Sequence, residues 1–183
     1  MTASIPALVV SAVKRTGLPS TYVTQRAREL QNAGLLPIAN GANRPAVRPR
    51  HLAHLLIGLA SDRVRKAPAL VHEYASLERI HFADLIVEGH ADVKRAGDAI
   101  ETIITSVWAG NCEHRGDVFR IVQHPEAKIV ILDDKGYGEH FYTPGTFMEF
   151  HRIDAVTRAI EIPVSVIAEI GADLGFKGCN YAI

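Results

Sequence analysis

Between residues 9 and 36 the sequence VVSAVKRTGLPSTYVTQRARELQNAGLL is punctuated so that two short helices and a tight corner are its natural fold. Gly17 can adopt the left-handed conformation that closes a helix, and Pro19 blocks simple continuation. The spacing predicts a first helix from about Pro6 to Thr16, with Leu8, Val9, Ala12 and Val13 as its apolar stripe. A second runs to Ala33, where Gly34 stops it, and Ser20 is expected to cap its start with a side-chain oxygen. Val23, Ala27 and Leu30 share one face of that helix, whereas Thr21, Tyr22, Thr24, Gln25, Arg28 and Gln31 point elsewhere. These outward groups are of the kind that reaches base edges in a major groove, guanidinium matching guanine and carboxamide matching adenine. The pair reads as a helix-turn-helix whose second helix is the recognition helix.

A polar-faced helix hairpin also occurs in proteins that never touch DNA, and the distribution of charge speaks to the difference. Formal net charge is zero over 183 residues. Residues 1–50 nevertheless carry Lys14, Arg15, Arg26, Arg28, Arg44, Arg48 and Arg50 against Glu29 alone, so the remainder is acidic overall. Such asymmetry fits a DNA reader joined to a part that stays off the phosphates.

After Leu36 and Pro37 the stretch IANGANRPAVRPR offers a turn at Asn40-Gly41 and places Arg44, Arg48 and Arg50 among prolines that keep the chain extended. This looks like a basic wing. HLAHLLIGLAS, residues 51–61, then reads as an apolar helix whose Leu52, Leu55, Leu56 and Leu59 can pack on the first two and supply the wall they lack. The residues Thr16-Gly17-Leu18-Pro19 at the turn, Ala33-Gly34-Leu35-Leu36-Pro37 beyond the second helix and the arginine-bearing approach to the third carry a resemblance to the DNA-binding domain of the MerR-like winged-helix group. It covers about 55 N-terminal residues. The resemblance implies Tyr22, Thr24, Gln25 and Arg28 facing the groove, and wing contacts from Arg44 and Arg48. The chain departs from that group in lacking an aromatic approach to the third helix and a long dimerising helix.

Past Ser61 the composition changes. SDRVRKAP reads as a polar linker, so the expected domains are residues 1–61, a winged helix-turn-helix, and residues 67–183, an α+β oligomerisation or effector domain. Leu70, Val71, Tyr74 and Leu77 mark a helix from Ala67 to about Glu78; Phe82 to Val87 is ambiguous between strand and helix. From Val93 to Trp108 a broad apolar face predicts a helix that is fully buried or forms a subunit contact. DVFRIVQ and AKIVILDD then take strand periodicity, and GEHFYTPGTFMEF and AVTRAIEI extend a small antiparallel sheet. Pro163 opens a terminal helix that Gly175 closes. The fold class is α+β.

Strong enzyme signatures are absent: the sequence has no phosphate-binding GxxxxGK[ST], HExxH, nucleophile elbow or paired CxxC. Cys112, His114 and distant Cys179 offer three zinc ligands without a completing pair. His51 and His54 share a helix face but fit a helix start beside DNA phosphates better than a metal site, and Glu139-His140 suits an exposed hairpin. The two cysteines suggest no disulfide framework and a reducing cytoplasm. No apolar run approaches a membrane span. The sequence therefore points to a cytoplasmic protein that is not an enzyme, uses no cofactor or metal, and binds double-stranded DNA as a transcriptional regulator, most simply a repressor. Its expected contacts are Ser20, Thr21, Tyr22, Thr24, Gln25, Arg28, Gln31, Arg44, Arg48 and Arg50. A homo-oligomer, with a dimer favoured, would pair half-sites. Two alternatives remain open: a recognition subunit resembling the small terminase of tailed phages, and a protein-interaction adaptor that uses the same fold without DNA.

Overall fold

The computed structural model describes residues 3–38, 45–79, 95–114, 116–124, 128–133, 138–142 and 158–177. The fold is α+β. Helices α1 (Ile5–Thr16) and α2 (Ser20–Asn32) are joined by a three-residue corner. Ser4 caps α1 by accepting from the Ala7 N–H. Gly17 closes it with φ of 67° and an N–H donated to the Val13 carbonyl. Thr16 fixes the corner: its hydroxyl donates to the Ala12 carbonyl and accepts from the Leu18 N–H. Ser20, expected to cap α2, is instead its first helical residue. Pro19 occupies the cap position, no side-chain oxygen serves it, and the Pro19 carbonyl accepts from Val23.

Beyond α2, Gly34 adopts φ of 74° and the N–H groups of Leu35 and Leu36 both turn back to the Leu30 carbonyl. Asn40-Gly41 and Arg44 lie outside the described residues. The described flanks of the expected wing, 36–38 and 45–48, carry no strand; Val47 donates its N–H to Ala3 at the start of the chain.

Helix α3 (Pro49–Leu59) is apolar nearly all round because it is central, packing on α2, on α4 (Ala67–Ala75) and on α5 (Ala96–Trp108). The wall of α1 comes from elsewhere than expected. It is α6 (Val164–Asp173), near the other end of the sequence, that packs against α1. The stretch expected to be a polar linker also packs: Ser61 is fully buried and a 3-10 turn, Val64–Lys66, contacts α2 and α4. One continuous apolar cluster runs from Ile5 through α3 and α5 to Leu174. Of the two alternatives for α5, burial is what occurs, since Ala96, Ala99, Ile100, Ile103, Ile104, Val107 and Trp108 are all within the core. Each such large aliphatic side chain contributes about 1.5–3 kcal/mol when removed from water.

The sheet contains β1 (Glu78–Arg79), β2 (Val118–His124), β3 (Lys128–Leu132), β4 (Gly138–Tyr142) and β5 (Arg158–Pro163) in the order β1-β4-β3-β2-β5, every pair antiparallel. Alternation sets its register. Phe119 stands opposite Ile131 and Ile162, and Ile121 opposite Ile129 and Ile160, so one face is continuously apolar and joins the core. Residues 82–87 and 143–150 and the start of AVTRAIEI lie outside the described residues. Among the described residues no helix is long and apolar enough to cross a membrane.

Candidate nucleic-acid interface

Helix α2 has two unlike faces. Val23, Arg26, Ala27 and Leu30 recur at i, i+3, i+4 and i+7 and are all buried. On the opposite side Ser20, Thr21, Thr24, Gln25 and Arg28 are exposed. None of these five side chains hydrogen bonds or ion pairs within the described residues, so one helical stripe presents hydroxyls, a carboxamide and a guanidinium to solvent.

Two expected contacts do not belong to that stripe. Tyr22 turns inward, its hydroxyl donating to the Leu59 carbonyl at 2.8 Å. Gln31 donates to the Pro37 carbonyl at 3.1 Å and ties the end of α2 to the segment that follows it. Tyr22 is held there by Arg26, whose guanidinium carbon lies 3.4 Å from the ring centroid and whose Nη2 donates to the Ser61 carbonyl at 2.6 Å. Arg26 retains 3% exposure and, among the described residues, has no carboxylate partner and no acceptor for its Nε. What receives the charge is the C-terminal end of α3, where unsatisfied carbonyls carry the negative pole of the helix. Gln123 on β2 donates to the Ala60 carbonyl, so side chains from α2 and from the sheet converge on the same helix end.

The basic residues are likewise divided in their duties. Arg15 forms a fork with Asp173, at 2.8 Å and 2.7 Å, and reaches Glu169 at 2.9 Å; Lys14 and the Ser11 hydroxyl complete the cluster on the same Asp173. The Arg15 hydrogen bonds hold the Asp173 carboxyl far below the usual carboxylate range. Arg50, expected at the phosphates, pairs with Glu101 on α5 at 2.9 Å. Of the seven basic side chains in residues 1–50, four are thus committed inside the chain. Arg28 and Arg48 are exposed and unpaired among the described residues, and Arg44 lies outside them.

Both histidines of α3 are also used. The Arg48 N–H donates to His51 Nδ1 at 3.1 Å while the His51 N–H returns to the Arg48 carbonyl, a reciprocal cap at the helix start. His54 Nδ1 lies 2.9 Å from the Leu35 carbonyl, which can only accept, so Nδ1 carries the proton. Burial is the largest cause lowering both imidazoles below their ordinary range. The described residues contain no group of three or more side chains that could hold a metal ion. Cys112 is disulfide-bonded, which removes it from any zinc site and corrects the expectation of reduced cysteines; Cys179 lies outside the described residues. His114 instead pairs with Asp117 at 2.7 Å, just before β2. Glu139 and His140 lie on β4, opposite Ile131 and Val130.

No family model, curated protein or solved structure matches the sequence or the fold.

Proposed function

We propose that this chain is a sequence-specific double-stranded DNA-binding regulator, acting as a repressor, in which α1 and α2 form the helix-turn-helix of a MerR-like winged domain. The observation that carries this reading is the unpartnered hydrogen-bonding stripe Thr21, Thr24, Gln25 and Arg28 on a helix whose opposite face is locked onto α3. A recognition helix needs that combination, because base readout demands donors and acceptors held in fixed register. Gln25 and Arg28 are one turn apart and would meet neighbouring base pairs, while Ser20 at the helix start and Arg48 hold phosphates. Arg44 belongs to the same proposal as a wing contact.

Within residues 1–50, internal bonds engage Lys14, Arg15, Arg26 and Arg50 and leave Arg28, Arg44 and Arg48 for the backbone, so this segment neutralises on the order of two or three phosphates. A single subunit then binds weakly. Pairing of two half-sites in a dimer supplies the affinity.

The test is selection of bound fragments from the source genome at near-physiological salt, followed by footprinting. An inverted repeat at a promoter supports the proposal. Enrichment of a long repeat array beside phage packaging genes replaces it with a DNA-packaging recognition subunit, and no enrichment replaces it with a protein adaptor.

A further inference from the structure

Helices α3, α4 and α5 leave between them an open cleft of about 410 Å³, in the size range of small-molecule sites. Its floor is apolar, made by Leu35, Ala53, Val71 and Ala75. Its rim is charged and only partly self-satisfied. Arg50 and Glu101 neutralise each other at 2.9 Å. Arg95 and Asp98 also line the cleft, three residues apart at the start of α5; Asp98 acts on Arg50 through space, but the two form no ion pair with each other and have no hydrogen-bond partner for their side chains among the described residues. Among the described residues His72 has no hydrogen-bond partner for its ring, and His54 spends Nδ1 on Leu35 while its Nε2 has none.

One unpaired cation, one unpaired carboxylate and two imidazoles over an apolar floor match a molecule that carries both charges and a short apolar body. A simple anion would leave Asp98 opposing it, and a simple cation would leave Arg95 opposing it. We propose that the cleft binds a small zwitterion of the α-amino acid class, its carboxylate at Arg95, its ammonium donating to Asp98 and to the unprotonated Nε2 of His54, and its side chain on Ala53 and Val71. His54 bonds to Leu35 in the turn that follows α2, and the Leu35 N–H bonds back to Leu30 within α2, so occupancy acts on the exposed stripe of α2 through these two hydrogen bonds. The binding step stands apart from the DNA reading; the regulatory consequence rests on it.

The experiment titrates the full chain with each proteinogenic L-amino acid in turn, without DNA, and follows melting temperature and calorimetric heat. At least one raises the melting temperature, and Arg95→Gln and Asp98→Asn each weaken its binding about tenfold or more. Both positions are exposed, so both variants fold. Absence of any binding amino acid, undiminished affinity in the two variants, or equal affinity for succinate, which lacks the amine, overturns the proposal. The bound amino acid then shifts affinity for the selected DNA by about fivefold or more. An unchanged DNA affinity overturns the coupling through His54. Amino-acid binding by a chain that selects no DNA sinks the DNA reading and leaves the cleft assignment standing.

Discussion

The guanidinium carbon of Arg26 lies over the ring of Tyr22, 3.4 Å from its centroid, and both side chains are spent on carbonyls at and just beyond the end of α3. The interaction fixes the rotation of α2 about its own axis. It therefore decides which residues α2 shows to solvent, and separates the helix into a structural half and a half available for recognition.

Substitutions on the two halves should have opposite signatures. Arg26→Ala removes a charged donor from a buried carbonyl and should lower unfolding free energy by roughly 2–3 kcal/mol, and Tyr22→Phe by about 0.5–1.5 kcal/mol. Thr24→Ala and Gln25→Ala should stay within about 0.5 kcal/mol of the parent. Urea denaturation distinguishes them, and equal losses on both faces would show that α2 is not oriented by this pair.

Arg28→Ala should cost roughly 1–3 kcal/mol of DNA affinity and relax one base position, whereas Arg48→Ala should weaken every sequence and flatten the salt dependence. Arg50→Ala should do neither, because Glu101 already holds it. Titrations of one selected site and its single-base variants at several salt concentrations separate these behaviours. A uniform loss for Arg28→Ala removes it as a base reader.

Acidification should loosen the fold in two separate windows. His51 and His54 sit below their ordinary value of 6.5 when folded, so the unfolded chain binds protons more readily and stability falls as pH drops below that value. The reciprocal bond at His51 needs an unprotonated Nδ1, and its loss frees the start of α3. His51→Asn, which keeps an acceptor near the same place, should reduce the slope there. Asp173 acts later: its folded carboxyl is depressed below 3.8, so its contribution persists until strongly acid conditions. Urea midpoints across the pH range read both windows, and His51→Asn leaving the first slope unchanged would deny His51 its part.

Gly171 on α6 has Trp108 against it so closely that an added Cβ would stand 2.4 Å from the indole Cδ1. Trp108 has nowhere to go: its Nε1 donates to the Ile167 carbonyl and its ring stacks on Phe176 at 4.3 Å. Gly171→Ala should destabilise by about 1–3 kcal/mol through overpacking and loosen α1 with α6. Hydrogen exchange of α1 amides checks the coupling. Unchanged α1 protection in a destabilised variant would mean that α6 is not its support.

Local periodicity made much of this architecture legible. The stripe of α5, the alternation of Phe119, Ile121, Ile129 and Ile131 and the corner at Gly17 and Pro19 follow from residues close in sequence. Position 26 carries a signal that the charge count overlooks: it completes the i, i+3, i+4, i+7 series of Val23, Ala27 and Leu30, yet the count places Arg26 among the cations available for phosphate. Hidden from the sequence were partners at long range. Arg15 meets Asp173 across 158 positions and Arg50 meets Glu101 across 51, so charges that look available for phosphate in the sequence are already matched in space. The two-residue strand β1 carries too little pattern to be recognised, and Ser20 lost its expected capping role because Pro19 already sets the entry to α2.

Ser11 and Asp173, joined at 2.9 Å, are 162 positions apart in the order of synthesis. On the ribosome α1 emerges early, with Lys14 and Arg15 uncompensated until α6 is made. A product released before α6 would keep those two cations and cling to any polyanion, RNA included, without discrimination. Completion of α6 thus neutralises a nascent segment that would otherwise bind polyanions at large.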